Sequence, residues 1–119
     1  MPPNDTNQKL GGGEEIDVVE PHRHSHVLGT MRNATTADAQ AAIDAATEAA
    51  PGWRALSYDD RAAIFLTAAE RLSGPWRQTL NAATVLGQSK SVVQAEIDSA
   101  CELIDFWRFN VLFGREILA

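Results

Sequence analysis

The sequence predicts a mainly α chain in which a short β element precedes four helices. Three observations carry that prediction. Apolar residues recur at helical spacing from Val92 to Leu118, start and stop signals divide the stretch before them into three shorter helical runs, and the β-prone runs flank Pro21.

Met1 to Glu15 is rich in Pro, Asn, Gly and charge, and ordering Gly11-Gly12-Gly13 costs more backbone entropy than ordering other residues, so residues 1–15 are expected to form a flexible tail. The folded part is then 16–119. Ile16 to Glu20 and His26 to Met31 are short β-prone runs, which predicts a pair of strands or one broken strand in need of partners.

Thr35 or Thr36 is placed to cap a first helix over Ala37 to Ala50, with Ala42, Ile43, Ala46 and Ala49 or Ala50 on one face. Pro51-Gly52 is expected to end it. Ser57 with Asp60 three positions on introduces a second helix, about Asp59 to Leu72, whose apolar face is Ala62, Ile64, Phe65, Ala68, Ala69 and Leu72. Ser73-Gly74-Pro75 stops and restarts the chain, and a third helix runs from Trp76 to Leu86. Gly87 is expected to close it before Ser89 or Ser91 caps the fourth.

The fourth helix offers Val93, Ile97, Cys101, Ile104, Trp107, Val111, Leu112, Ile117 and Leu118 at helical spacing, with Leu103, Phe106 and Phe109 around the flank. It would run about 40 Å at roughly 1.5 Å per residue. A helix this apolar needs cover on more than one side, and the rest of the chain offers little to supply it.

Composition excludes several function classes. Ten basic against sixteen acidic residues give a net charge of −6, which disfavours nucleic acid and anionic membrane surfaces as partners. No run reaches the roughly 18 apolar residues of a membrane span, and Met1 to Leu10 lacks the basic and apolar regions of a signal peptide, so a cytoplasmic protein is expected. A single cysteine forms no internal disulfide.

Each tempting motif has a plainer reading. His22-x-His24-x-His26 would line one side of a strand, but three ligands on one flat strand converge poorly on a single ion, and no metal site is expected. Cys101 lies inside a helical run beside Glu102, a setting that favours packing over nucleophilic attack. Lys90-Ser91 lacks the first glycine of a phosphate loop, and the dinucleotide fingerprint is absent, so no cofactor-binding residue is expected within the chain. Asp98, Glu102 and Asp105 form an acidic stripe, with Arg108 beyond Asp105. Such stripes are usually solvated, but Glu102 stands one turn before Phe106 in an apolar run and is expected to be partly enclosed, where a carboxylate requires a cationic or hydrogen-bonding partner.

Gly87 to Asn110 (GQSKSVVQAEIDSACELIDFWRFN), Arg61 to Arg77 (RAAIFLTAAERLSGPWR) and Pro21 to Thr30 (PHRHSHVLGT) together resemble the N-terminal part of the L-glutamate γ-semialdehyde dehydrogenases, also called Δ1-pyrroline-5-carboxylate dehydrogenases, of the aldehyde dehydrogenase superfamily. The resemblance spans roughly Ile16 to the last residue. It implies that 16–119 is the N-terminal portion of a larger α/β dehydrogenase domain, a fragment inactive by itself. The implied activity is oxidation of L-glutamate γ-semialdehyde to L-glutamate with NAD in proline catabolism, through a cysteine thiolate and a glutamate general base. It implies also that the catalytic and NAD-binding residues lie beyond Ala119, that Glu102 meets the α-ammonium of a small amino-acid aldehyde, and that the complete enzyme is a homo-oligomer. The alternative is a freestanding helical module that binds a partner protein through its exposed apolar faces.

Overall fold

The computed structural model describes residues 11–118. Two strands, β1 (Glu15–Glu20) and β2 (Arg23–Arg32), are followed by α1 (Thr36–Ala55), α2 (Tyr58–Ser73), α3 (Arg77–Gln88) and one uninterrupted rod. The rod consists of α4 (Val92–Ala95), a π-helical turn (Glu96–Cys101) and α5 (Glu102–Leu118).

The strands form an antiparallel hairpin, with Glu15 opposite Arg32 and Val18 opposite Gly29, and its register slips at Val18, Val19 and Glu20. Residues 1–10 of the expected tail lie outside the described residues. From Gly11 to Glu14 the chain runs alongside the end of β2 and the residue after it. Gly13 donates to the Asn33 carbonyl and Asn33 to that of Glu14, and a Cβ on Gly13 would stand 2.6 Å from the Asn33 oxygen. Gly11 takes a φ of +121°, open to glycine. Gly11 and Gly13 permit this close approach.

Local side-chain chemistry sets the helix starts. Thr35 and Asp38 form a reciprocal capping box at α1, and the Asp38 carboxylate also accepts the Gly12 N–H at 3.0 Å. Those donors, the Thr35 backbone first, hold the Asp38 carboxyl well below the usual carboxylate range. Ser57 accepts from the Asp60 N–H at 3.1 Å to open α2, and Ser91 forms a capping box with Gln94 at α4.

Two expected stops do not stop their helices. Pro51 lies inside α1, which continues to Ala55. The proline removes one donor, leaving the Thr47 carbonyl unpaired in the helix, but α1 buries none of its residues, so water reaches that oxygen. Gly87 likewise lies inside α3. The left-handed residue that ends the helix is Ser89, with a φ of 55°.

The core sits where α2, α3 and the rod meet: Ala69, Leu72, Ala100 and Ile104, with Leu80, Leu103 and Trp107 packed around them. It is small. The radius of gyration is 17.9 Å, against about 13 to 14 Å for a compact domain of this length. Large apolar side chains accordingly remain exposed, among them Phe106 (57%), Phe109 (54%) and Phe113 (50%) on α5. Among the described residues no helix is long and apolar enough to cross a membrane.

Candidate functional site

The π turn is the feature around which the site is built. A π turn carries one more residue than the α turn it replaces, so it rotates all that follows by about 100°. The burial pattern records this. Ala95 and Ala100 are fully buried five positions apart, followed by Ile104 four positions on. Before the turn the rod faces α3; after it, α5 faces α2. The stripe expected through Val93 and Ile97 is therefore not the buried one. Val93 is 68% and Ile97 48% exposed, because their spacing to Ile104 assumes an unbroken α-helix.

A polar seam fixes the turn to α3. Arg77 donates through Nε (2.8 Å) and Nη2 to one carboxylate oxygen of Glu96, while Asn81 donates its amide to the other. Ser99 donates to the buried Thr84 hydroxyl at 2.7 Å, and Lys90 pairs with Asp98. The guanidinium of Arg77, then the Asn81 amide, holds the Glu96 carboxyl below its usual value, and Glu96 in turn raises Arg77. Cys101 joins this seam, accepting from Arg77 Nη2 at 3.3 Å with Glu96 at 3.8 Å. The thiol is half-buried among polar groups and not, as expected, among apolar ones.

Glu102 is the first residue after the turn. It is exposed and has no hydrogen bond or ion pair among the described residues, which corrects the expectation of partial enclosure: no other described element lies over it. Phe106, Phe109 and Phe113 continue its side of α5 at helical spacing, with the rings of Phe109 and Phe113 stacked at 6.0 Å. A carboxylate thus heads an exposed aromatic stripe. Asp105 and Arg108 are exposed and form no ion pair with one another.

The histidine triplet is not presented on one strand face. His22 falls in the turn between the strands, while His24 and His26 belong to β2. Among the described residues no cluster suited to a metal ion occurs. His26 (3.1 Å), Arg23 (3.0 Å) and His22 (3.4 Å) converge instead on the buried Glu20 carboxylate, and His22 Nδ1 reaches the Ser89 hydroxyl at 2.6 Å. The hydrogen bond with His26, then Arg23, lowers the Glu20 pKa against the opposing effect of burial. The cluster pins the hairpin to the end of α3.

Sequence reasoning missed both carboxylate hubs, Glu20 and Glu96, because their partners lie on other elements. Helical periodicity carries no signal for such contacts, because it ranks the faces of one element and says nothing of which element lies opposite.

A groove of about 340 Å³ between the end of α1, α2 and α5 is lined by Trp53, Tyr58, Arg61, Phe65, Trp107 and Asn110. It offers no phosphate cradle. The two strands form a hairpin with no crossover helix whose N-terminus could hold a pyrophosphate, so the described residues do not fit NAD.

Comparison with known proteins places this arrangement. The chain is 46% identical over 112 residues to the mitochondrial delta-1-pyrroline-5-carboxylate dehydrogenase of Mus musculus, covering 89% of the chain and 20% of that relative. The crystal structure of the corresponding enzyme from Mycobacterium tuberculosis superposes with a TM-score of 0.89 at 64% identity, covering 92% of this chain and 20% of that one. A crystal structure of that enzyme bound with NAD gives the same identity and TM-score. The chain spans about a fifth of the length of these relatives, and its short hairpin and helices are the corresponding N-terminal part of their fold. With the model of the aldehyde dehydrogenase family matching residues 9–118, the chain belongs to that family.

Proposed function

We propose that this chain is the amino-terminal fifth of an NAD-dependent enzyme that oxidises L-glutamate γ-semialdehyde, the open form of Δ1-pyrroline-5-carboxylate, to L-glutamate. The observation that carries the proposal is the 64% identity, over 92% of the chain, to a delta-pyrroline-5-carboxylate dehydrogenase. NAD accepts the hydride when bound by the remainder of the enzyme, and a homo-oligomeric assembly belongs to the same proposal.

The role of the described residues is recognition. Glu102 takes the substrate's α-ammonium, and Phe106 one turn on offers an apolar wall beside it. A fixed carboxylate rewards an aldehyde that carries an ammonium, and an aliphatic aldehyde leaves it unpaired. Such a contact selects the substrate without entering the bond-making steps.

The test joins residues 1–119 to the remainder of the Mycobacterium tuberculosis enzyme in place of its matching segment, and follows NADH formation. Turnover of Δ1-pyrroline-5-carboxylate well above that of aliphatic aldehydes is the expected result. A folded hybrid that prefers aliphatic aldehydes overturns the assignment.

A further inference from the structure

Among the described residues Glu102 has no hydrogen-bond or ion-pair partner, yet the turn immediately before it is tied to α3 by several polar contacts. Arg77 and Asn81 grip Glu96 at the start of the π turn, Thr84 meets Ser99 within it, and Arg77 reaches Cys101 at its end. These contacts come from successive turns of one face of α3, at positions 77, 81 and 84. They therefore resist rotation of the rod as well as its displacement.

A π turn is a costly irregularity in a helix, and it persists where surrounding contacts over-determine it. Without the extra residue, the rod could keep Ala95 and Glu96 against α3, or Ile104 and Trp107 against α2, but not both. Resolving the turn into α-helix while α4 stays docked would swing Glu102 by about 100° around the axis. Phe106, Phe109 and Phe113, on the same side of α5, would swing with it, so the carboxylate and its aromatic stripe would face another direction.

We propose that the π turn Glu96–Cys101, locked to α3 by Arg77, Asn81 and Thr84, is the positioning device that sets the direction of Glu102 toward the substrate's ammonium group. This rests on the assignment of Glu102 as the ammonium's partner. Arg77 and Glu96 are positioning residues: they act on recognition through Glu102 and touch no substrate themselves. Preorganisation of this kind matters because a binding group must be held by packed and hydrogen-bonded neighbours to within a fraction of an ångström.

The experiment uses the enzyme completed as above. It compares L-glutamate γ-semialdehyde with a straight-chain aldehyde of similar length that lacks the ammonium. The variants are Glu96→Gln, Arg77→Lys, Glu102→Gln, and each of the first two combined with the third. Glu96→Gln is expected to lower kcat/KM for the ammonium-bearing substrate about tenfold, mainly through KM, while the plain aldehyde stays within about twofold. Arg77→Lys keeps the charge but loses the planar fork, and shows the same selectivity with a smaller loss. In the Glu102→Gln background neither substitution costs anything further, since the contact they position is gone.

If either single variant weakens both aldehydes alike, or its loss adds in full to that of Glu102→Gln, the positioning role falls and the Glu102 assignment stands. Should Glu102→Gln itself fail to distinguish the two aldehydes, the assignment fails and the positioning role goes with it. Arg77→Lys, the milder change, answers the question if Glu96→Gln does not fold.

Discussion

Tyr58 occupies the space that Gly114 leaves open: the tyrosine hydroxyl donates to the Val111 carbonyl, and a Cβ on Gly114 would stand 2.5 Å from that hydroxyl oxygen. The ring lies between neighbouring elements, with the guanidinium carbons of Arg61 and Arg115 at 5.9 and 5.5 Å from its centroid. This is where the start of α2 meets the end of α5.

Gly114→Ala is therefore expected to destabilise the protein, although the same change in an exposed helix gains about 1 kcal/mol. Displacing Tyr58 breaks its hydrogen bond and unpacks the ring, a net loss of about 1 to 2 kcal/mol. Urea unfolding followed by circular dichroism reads it. A midpoint equal to or above that of the wild type would show that Tyr58 moves aside without cost.

Glu102→Gln in the completed enzyme keeps the shape and removes the charge. The expected loss is about ten- to hundredfold in kcat/KM for L-glutamate γ-semialdehyde, and much less for an aldehyde without an ammonium. Equal losses for both substrates would assign Glu102 to the fold instead of to specificity.

Glu20 and Glu96 both titrate below the ordinary carboxylate value of 4.5, Glu20 chiefly through His26 and Glu96 chiefly through Arg77. A group whose folded pKa is depressed contributes stability that is complete above its unfolded value and lost as pH falls through the folded one. Stability should thus decline below about pH 4.5, and Glu20→Gln or Glu96→Gln should each flatten that decline. Urea midpoints measured from about pH 6 to pH 3 would reveal it. Identical slopes in wild type and variants would remove both carboxylates as its source.

The isolated 119 residues should self-associate through the stripe of Phe106, Phe109 and Phe113, each at least half exposed. Light scattering over a range of concentrations should give a mass that rises with concentration, and Phe109→Ser should reduce it. A monodisperse monomer that binds no hydrophobic dye would contradict the expectation.

What the sequence made legible was what neighbouring residues decide among themselves. Ser57 caps its helix as expected, and of the alternatives Thr35 or Thr36 and Ser89 or Ser91 the caps are Thr35 and Ser91, since a hydroxyl and an N–H three positions on need nothing else. Pro51 and Gly87 misled because their effect depends on what surrounds the backbone: α1 is solvated along its length, and Ser89 took the left-handed position in place of glycine. The π turn was illegible to periodicity, which assumes a constant angle per residue and so assigned Val93 and Ile97 to the wrong face. Glu102 was singled out through family resemblance, whereas Arg77 and Glu96, nineteen residues apart, became partners only when α3 and the rod were laid together.

α1 runs for 20 residues with none of them buried, tied to the rest through Asp38 at one end and Trp53 in the groove at the other. Its amides are protected by the helix's own hydrogen bonds alone, and a solitary helix of this length frays readily in water. Amide deuteration should therefore saturate α1 long before it reaches Ala100 and Ile104. In an enzyme where some other surface covers α1, that contrast vanishes, so the uptake rate of this one helix registers whether the rest of the fold has closed over it.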